Sequence, residues 1–261
     1  MIQSGKNVEC NYLFLFMFKY YYPLMEIFYS IKIIGKENLK LDKQAIYIFK
    51  HTTHNYDIIP GLFTLYKELK KPVRGLGHYL IYFLCPHYTK LGIVVGDRYI
   101  AEKLLENKES ISLIPGGAEE MASSLTEPNK LNWISKSGNY KTGFAKLSIK
   151  YDVDIIPMAA KNAECMVFSP VLYLINKTDL ITNFNTIMNK YENSRNIYII
   201  LHYIKVFFTL IFASLLVIPI PVPLTFVIGE PIKKIKDEDI LDYTKRCEFE
   251  LQKLVYKANS L

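Results

Sequence analysis

The feature that most constrains the fold is a series of strand-length apolar runs separated by segments with helical spacing. Short continuous apolar runs are typical of strands that are buried on both faces. The runs are Gln44–Phe49, Leu91–Val95, Ser110–Ile114 and Asp154–Met158, and the clearest helical segments are Ala101–Lys108 and Gly143–Lys150. Strands that alternate with helices predict an α/β fold with a mostly parallel central sheet flanked by helices. The carboxyl ends of parallel strands meet at one rim of such a sheet, and that rim is where we expect functional residues.

The N-terminal stretch Asn11–Ile31 is apolar and aromatic, but Lys19, Pro23 and Glu26 interrupt it. A membrane-spanning helix needs about 20 largely uninterrupted apolar residues. Aromatic residues mixed with a few charges instead favour an interfacial helix or a half-inserted anchor, with an ordinary core-packing helix as the alternative. A cleaved secretory signal is not indicated. We therefore predict a membrane-associating segment over residues 1–35 and one enzyme-sized domain over residues 36–261.

The stretch Val206–Gly229 is uncharged, but its prolines leave only Val206–Ile218 as continuous helix. That length favours a short helix or a membrane-dipping hairpin over a full transmembrane helix or a buried soluble helix. A strand is predicted at Leu224–Ile228. The chain then closes with an amphipathic helix over Asp237–Ala258, whose first residues are acidic, as suits a helix N-terminus.

The charges limit the partners. The chain has 32 Lys and Arg residues against 25 Asp and Glu, a net charge of +7, which suits an acidic membrane face or a phosphate-bearing cosubstrate. No zinc-finger spacing, aromatic RNA-binding signature or dense basic helix is present, so a nucleic-acid partner is not expected. The four cysteines are far apart, which indicates neither a metal site nor a disulfide framework and fits a reducing environment.

The segment Lys50–Pro60, KHTTHNYDIIP, places His51 at the end of a predicted strand and Asp57 near the start of the next helix. A histidine can remove a hydroxyl proton, while a carboxylate orients the imidazole and stabilises its cation. His54 is a competing base close to the same strand end. Taken alone, such a His and Asp are more often a structural pair.

A second motif, LIPGGAEE, ends another strand-like run with Gly116 and Gly117, followed by Glu119 and Glu120. Paired glycines let the backbone approach a ligand closely, and their amides can face a developing oxyanion. A tight turn with solvated acids is the plainer interpretation.

The ordered motifs HTTHNYD, LGIVVGDR, IPGGAEE and KTGFAKLSIKYDVDIIPM resemble the diacylglycerol acyltransferase type 2 superfamily. Its members similar to transmembrane protein 68 and to the plant phytyl ester synthases match best. The likeness spans Ile31–Ile232. It implies a glycerolipid acyltransferase fold and an enzyme of the endoplasmic reticulum membrane, with its active site facing the cytosol. Acyl-CoA would be the donor, a glycerolipid or fatty alcohol the acceptor, and neither a metal nor another cofactor would be needed.

By position, His51 and Asp57 match the family's catalytic pair, although the wider glycerolipid acyltransferases space the two residues one position closer. Gly116, Gly117 and Glu120 match its Gly-Gly-x-x-Glu element and are expected to bind substrate.

Two residues bear on the acceptor. Glu119 stands where relatives often carry arginine, and an acid there should repel a phosphorylated acceptor and favour a neutral lipid such as diacylglycerol. Arg98 lies in a segment similar to the acceptor-phosphate block of lysophosphatidate acyltransferases, so a lysophospholipid acyltransferase stays the alternative. A catalytically silent lipid-binding membrane protein is the other. A serine esterase is not indicated, because the chain has no Gly-x-Ser-x-Gly motif.

Overall fold

The computed structural model describes residues 11–79, 86–124, 127–135, 138–178, 180–191 and 217–261, with residues 194, 196–198, 200, 201, 204, 205, 207 and 208 between the last two ranges. The strands are β1 (Lys32–Ile34), β2 (Ala45–Phe49), β3 (Val73–Gly77), β4 (Ile93–Val95), β5 (Ser110–Leu113), β6 (Asp154–Lys161), β7 (Val167–Phe168), β8 (Ile218–Pro219) and β9 (Thr225–Ile228). The α-helices are α1 (Tyr12–Phe16), α2 (Tyr22–Phe28), α3 (Ile58–Leu69), α4 (Arg98–Glu106), α5 (Gly117–Ser124), α6 (Gly143–Tyr151), α7 (Pro170–Lys177), α8 (Leu180–Lys190) and α9 (Ile240–Ser260). A π-helical turn, Met17–Tyr21, joins α1 to α2, and 3₁₀ turns cover Lys36–Asn38, Pro86–Leu91 and Ala163–Cys165.

Seven strands form the central sheet in the order β1-β9-β6-β2-β5-β3-β4. Every neighbouring pair in it is parallel except β6 with β9, which is antiparallel. The predicted α/β fold with a mostly parallel sheet is therefore confirmed. A separate pair, β7 and β8, runs antiparallel.

The sheet is covered on both faces, which explains why its middle strands are apolar throughout. In β2, Ile46 and Ile48 face a core that includes the apolar side of α9, whereas Ala45 and Tyr47 face a core that includes α3. All four side chains are completely buried. Such two-sided burial produces the continuous apolar run seen in the sequence.

The segment α1–α2 packs against α3 through aromatic side chains. Phe14 lies 4.9 Å from Tyr66, ring centroid to ring centroid, and the Tyr22 hydroxyl lies 2.8 Å from Thr64 Oγ1. The opposite side of the same segment is apolar and exposed, with Leu24 65% and Ile27 78% accessible. The segment thus has one packed face and one exposed apolar face.

The predicted strands and helices agree with the observed ones to within a few residues at their ends. The sequence did not predict the short strands β1, β3, β7 and β8. β1 lies inside the segment that was expected to be membrane-associating, and β8 begins at Ile218, which was predicted to be helical. Most of the predicted helix at 206–218 lies outside the described residues, as do Cys10 and Cys85. Within the described ranges, the helices are too short or too polar for any of them to cross a membrane.

Candidate active site

Three neighbouring parallel strands, β5, β2 and β6, end at the same rim of the sheet. The chain after β2 carries His51, the chain after β5 carries the Gly116–Gly117 turn, and the chain after β6 carries Glu164. Because adjacent strands are about 4.8 Å apart, residues that follow them are brought close together. The structure therefore unites the two motifs that the sequence singled out.

The backbone and the ring of His51 are each held by a hydrogen bond. The backbone N–H donates to Glu120 Oε1 at 2.5 Å, and the ring Nδ1 lies 2.8 Å from the carbonyl oxygen of Thr52. A carbonyl oxygen can only accept, so Nδ1 must carry the hydrogen, which leaves Nε2 as a proton acceptor. Burial, with smaller contributions from nearby lysines, lowers the pKa of His51 to about 4. The imidazole is therefore neutral at physiological pH.

Asp57 immediately precedes α3, as expected, and is buried. Its Oδ1 accepts a hydrogen bond from the Thr52 hydroxyl at 2.5 Å. Within the described part of the chain, no hydrogen bond joins Asp57 to the His51 ring, so Thr52 links the two: its hydroxyl binds the carboxylate and its carbonyl binds the imidazole. Burial raises the pKa of Asp57 to about 6.

Glu120 is completely buried and accepts two backbone amides, that of His51 and, at 3.2 Å on Oε2, that of Asn132. Burial raises the pKa of Glu120 to about 7, against the lowering effect of those two hydrogen bonds. The residue was expected to bind substrate, but its contacts place it behind His51, where it holds the backbone.

The two glycines differ in what they do. A Cβ added to Gly116 would lie 2.1 Å from Oε2 and 2.4 Å from Cβ of Glu120, so only glycine leaves room for that side chain. Gly117 has φ +57° and donates its N–H to the Ile114 carbonyl at 3.1 Å. The Gly116 N–H has no acceptor among the described residues. Of the two amides, Gly116 is thus the one available to an oxyanion.

The charge of Glu119 is compensated. Lys141 Nζ lies 2.7 Å from Glu119 Oε2 and also donates to the Gly116 carbonyl at 2.5 Å. The expectation that Glu119 repels a phosphate therefore loses its electrostatic basis while this ion pair persists.

Arg98 and His54 are placed differently. Arg98 begins α4, after β4, and its side chain is 72% exposed and paired with Glu102 at 3.0 Å. Since β4 is the third strand from β2, the two strand ends are roughly 14 Å apart at about 4.8 Å per strand. His54 is half-buried, with its ring 6.5 Å from that of Tyr56. Arg98 is thus not brought to the His51 site.

Four residues of this rim were not predicted from the sequence: Thr52, Lys141, Lys50 and Glu164. The one signal was Lys50, a lysine at the end of an otherwise apolar buried strand. Thr52, Asp57, Lys50 and Glu164 also line a cavity of about 180 Å³ at the rim. Among the described residues, no group of histidines, cysteines and carboxylates is arranged to hold a metal ion.

A family model for diacylglycerol acyltransferases matches residues 29–245. No protein with a curated description matches the chain. Among solved structures, the crystal structure of the 1-acyl-sn-glycerophosphate (LPA) acyltransferase PlsC from Thermotoga maritima is similar, with a TM-score of 0.48 and 14% identity over 93% of this chain and 78% of that chain. A likeness this weak carries no argument about substrate.

Proposed function

The chain belongs to the diacylglycerol acyltransferase family, and we propose that it moves a fatty acyl group from acyl-CoA to the hydroxyl of a neutral lipid, such as diacylglycerol or a fatty alcohol. The observation that carries the mechanism is the hydrogen bond between His51 Nδ1 and the Thr52 carbonyl, because it leaves Nε2 able to accept a proton. The neutral acceptor rests on the family and on the position of Arg98, far from His51 and paired with Glu102.

In the proposed reaction, His51 Nε2 takes the proton of the acceptor hydroxyl. The oxygen of that hydroxyl attacks the carbonyl carbon of the thioester at the same time. The Gly116 amide donates to the resulting oxyanion. Collapse of the tetrahedral intermediate breaks the carbon–sulfur bond, and the leaving thiolate receives the proton from the imidazolium. The burial that keeps His51 neutral also disfavours the imidazolium. Asp57, acting through Thr52, opposes this effect by stabilising the imidazolium.

We also propose that the exposed face of α1 and α2 lies at the membrane interface, with the active site towards the cytosolic side of the endoplasmic reticulum. The interface is supported by a row of exposed apolar residues, namely Tyr12, Leu15, Phe16, Leu24, Ile27 and Phe28 on the helices and Tyr20 in the turn between them. The endoplasmic reticulum and the cytosolic side are proposed from the family resemblance. A continuous apolar patch on a surface commonly marks a site of membrane or protein contact.

The experiment that tests the activity supplies labelled acyl-CoA with diacylglycerol, a fatty alcohol or lysophosphatidate to the purified protein. We expect product with a neutral acceptor, and a loss of about 100-fold or more in His51→Ala but not in His54→Ala. Product from lysophosphatidate alone would assign the chain to the alternative acceptor class. No product with any acceptor would favour the silent lipid-binding protein, and loss in His54→Ala alone would move the base to His54.

A further inference from the structure

Lys50 is a buried lysine whose ammonium group has three partners. Its side chain is 9% exposed, and Nζ donates to the His51 carbonyl at 2.6 Å, to Ser124 Oγ at 3.0 Å and to Glu164 Oε1 at 2.9 Å. Ser124 ends α5, and Glu164 lies in the 3₁₀ turn after β6. One side chain therefore joins the three chain segments that follow β2, β5 and β6.

Glu164 completes this arrangement from the other side. Its Oε1 accepts from both Lys50 and the Ser124 hydroxyl, and its Oε2 accepts the backbone N–H of Thr53 at 3.0 Å. In the segment His51–Thr53, the ion pair thus binds the carbonyl of the first residue, through Lys50, and the backbone N–H of the last, through Glu164. Both ends of the segment that carries the imidazole are therefore held, directly or through Lys50, by the segments that follow β5 and β6.

We propose that Lys50 and Glu164 are positioning residues, which hold the His51–Thr53 segment so that the imidazole meets the acceptor hydroxyl in a reactive geometry. The inference rests on the acyl transfer proposed above. Three contacts carry it. Glu120 accepts the backbone N–H of His51, Lys50 donates to the carbonyl of His51, and Glu164 accepts the backbone N–H of Thr53. A displacement of about 1 Å of a reacting group can cost on the order of 100-fold in rate.

The same lysine sets the charge of the site. Lys50 is near the buried carboxylates of Asp57 and Glu120, the partly exposed carboxylate of Glu164, and His51. Lys141 adds a second positive charge towards His51 and Glu120. The positive charge of Lys50 lowers the pKa of His51, Asp57 and Glu120. Without that charge, the pKa of each of these groups moves upward, so the loss of activity on acidification begins at a higher pH.

The test compares Lys50→Met, Glu164→Gln and Ser124→Ala with wild type, in full-length protein and with the acceptor that wild type uses. We expect kcat to fall about 100-fold in Lys50→Met and Glu164→Gln with little change in KM. The acid limb of the pH profile should move to higher pH in Lys50→Met. Glu238→Gln is the matched control, because it removes the ion pair with Arg246 at the start of α9, away from the rim, and should leave kcat unchanged.

Wild-type kcat and an unshifted pH profile in folded Lys50→Met would overturn the inference. If Lys50→Met does not fold, Ser124→Ala decides. It removes one partner of Lys50 without leaving a charge unpaired, and it should lower kcat about tenfold, whereas wild-type kcat would overturn the inference.

If wild type itself shows no transfer, the proposed function fails and a readout independent of activity remains. That readout is the pKa of His51 by NMR of histidine-labelled protein, with the resonance assigned by His51→Ala. The pKa should be higher in Lys50→Met than in wild type, because the positive charge near the imidazole is removed, and an unchanged value would overturn the inference.

Discussion

Gly116→Ala tests whether the contact between the Gly116 turn and Glu120 holds the site together. The added Cβ would meet both the carboxylate and the Cβ of Glu120 at less than 2.5 Å, so rotation of the carboxylate alone cannot relieve the clash. Overpacking typically costs about 1–3 kcal/mol, and each buried amide left without an acceptor costs about 1–3 kcal/mol. Because Glu120 accepts the amides of His51 and Asn132, we expect the free energy of unfolding to fall by about 3 kcal/mol or more.

Urea unfolding followed by fluorescence measures this change, since the single tryptophan, Trp133, is completely buried beside Asn132. Acyl transfer is measured on the same preparations and should be lost with the displacement of His51. Gly143→Ala is the matched control: its Cβ meets no atom within 4 Å, and its stability should change by less than about 1 kcal/mol. A Gly116→Ala protein as stable and as active as Gly143→Ala would refute the reasoning.

Four further predictions concern acid stability, the core, the acceptor and the membrane. Since the folded pKa of His51, about 4, is below its usual 6.5, the unfolded state binds more protons at this residue between these values, so His51 contributes a loss of stability as pH falls through that window. The stability of His51→Gln relative to wild type should therefore rise by about 2–3 kcal/mol between pH 7 and pH 4.5 in urea unfolding, and an unchanged difference would contradict the pKa. Tyr243→Phe removes two buried hydrogen bonds and should lower stability by about 1–2 kcal/mol while leaving transfer rates unchanged. Glu119→Gln leaves Lys141 without its counter-charge, so use of lysophosphatidate relative to diacylglycerol should rise on the order of tenfold in a competition assay. Leu24→Glu should weaken sedimentation with lipid vesicles without changing the melting temperature, because the side chain is 65% exposed; unchanged sedimentation would remove this face from the interface.

Sequence predicted the strands best where the sheet is buried on both faces. The run at β2 is apolar throughout, since each side chain meets one core or the other. The run at β3, VRGLG, was missed because Arg74 interrupts it. In the fold, Arg74 is completely buried and paired with Glu109 at 3.3 Å, a partner that lies 35 residues away and that no local pattern reveals. A strand is difficult to predict from sequence when it contains a buried charged residue whose ion-pair partner is distant along the chain.

The same contrast between local patterns and nonlocal contacts applies to the active site. The meeting of His51 with the Gly116 turn was predictable, because parallel strands deliver their carboxyl ends to one rim. The direct contacts were not, since the bond from Thr52 to the imidazole depends on loop geometry and that from Lys50 to Glu164 on which strands are neighbours. The catalytic function of Asp57 therefore stays a prediction from the motif, while its connection to His51 through Thr52 is visible only in the structure.

The pairing of β1 with β9 has a consequence for how the chain is made. Lys32 is in register with Thr225. Strand β1 therefore cannot pair until most of the chain has been synthesised. Nonlocal pairings of this kind slow folding and leave apolar surface uncovered during synthesis. The aromatic segment α1–α2, just before β1, therefore leaves the ribosome before the sheet can form. During that interval it can contact a bilayer or a chaperone before it can contact the rest of its domain.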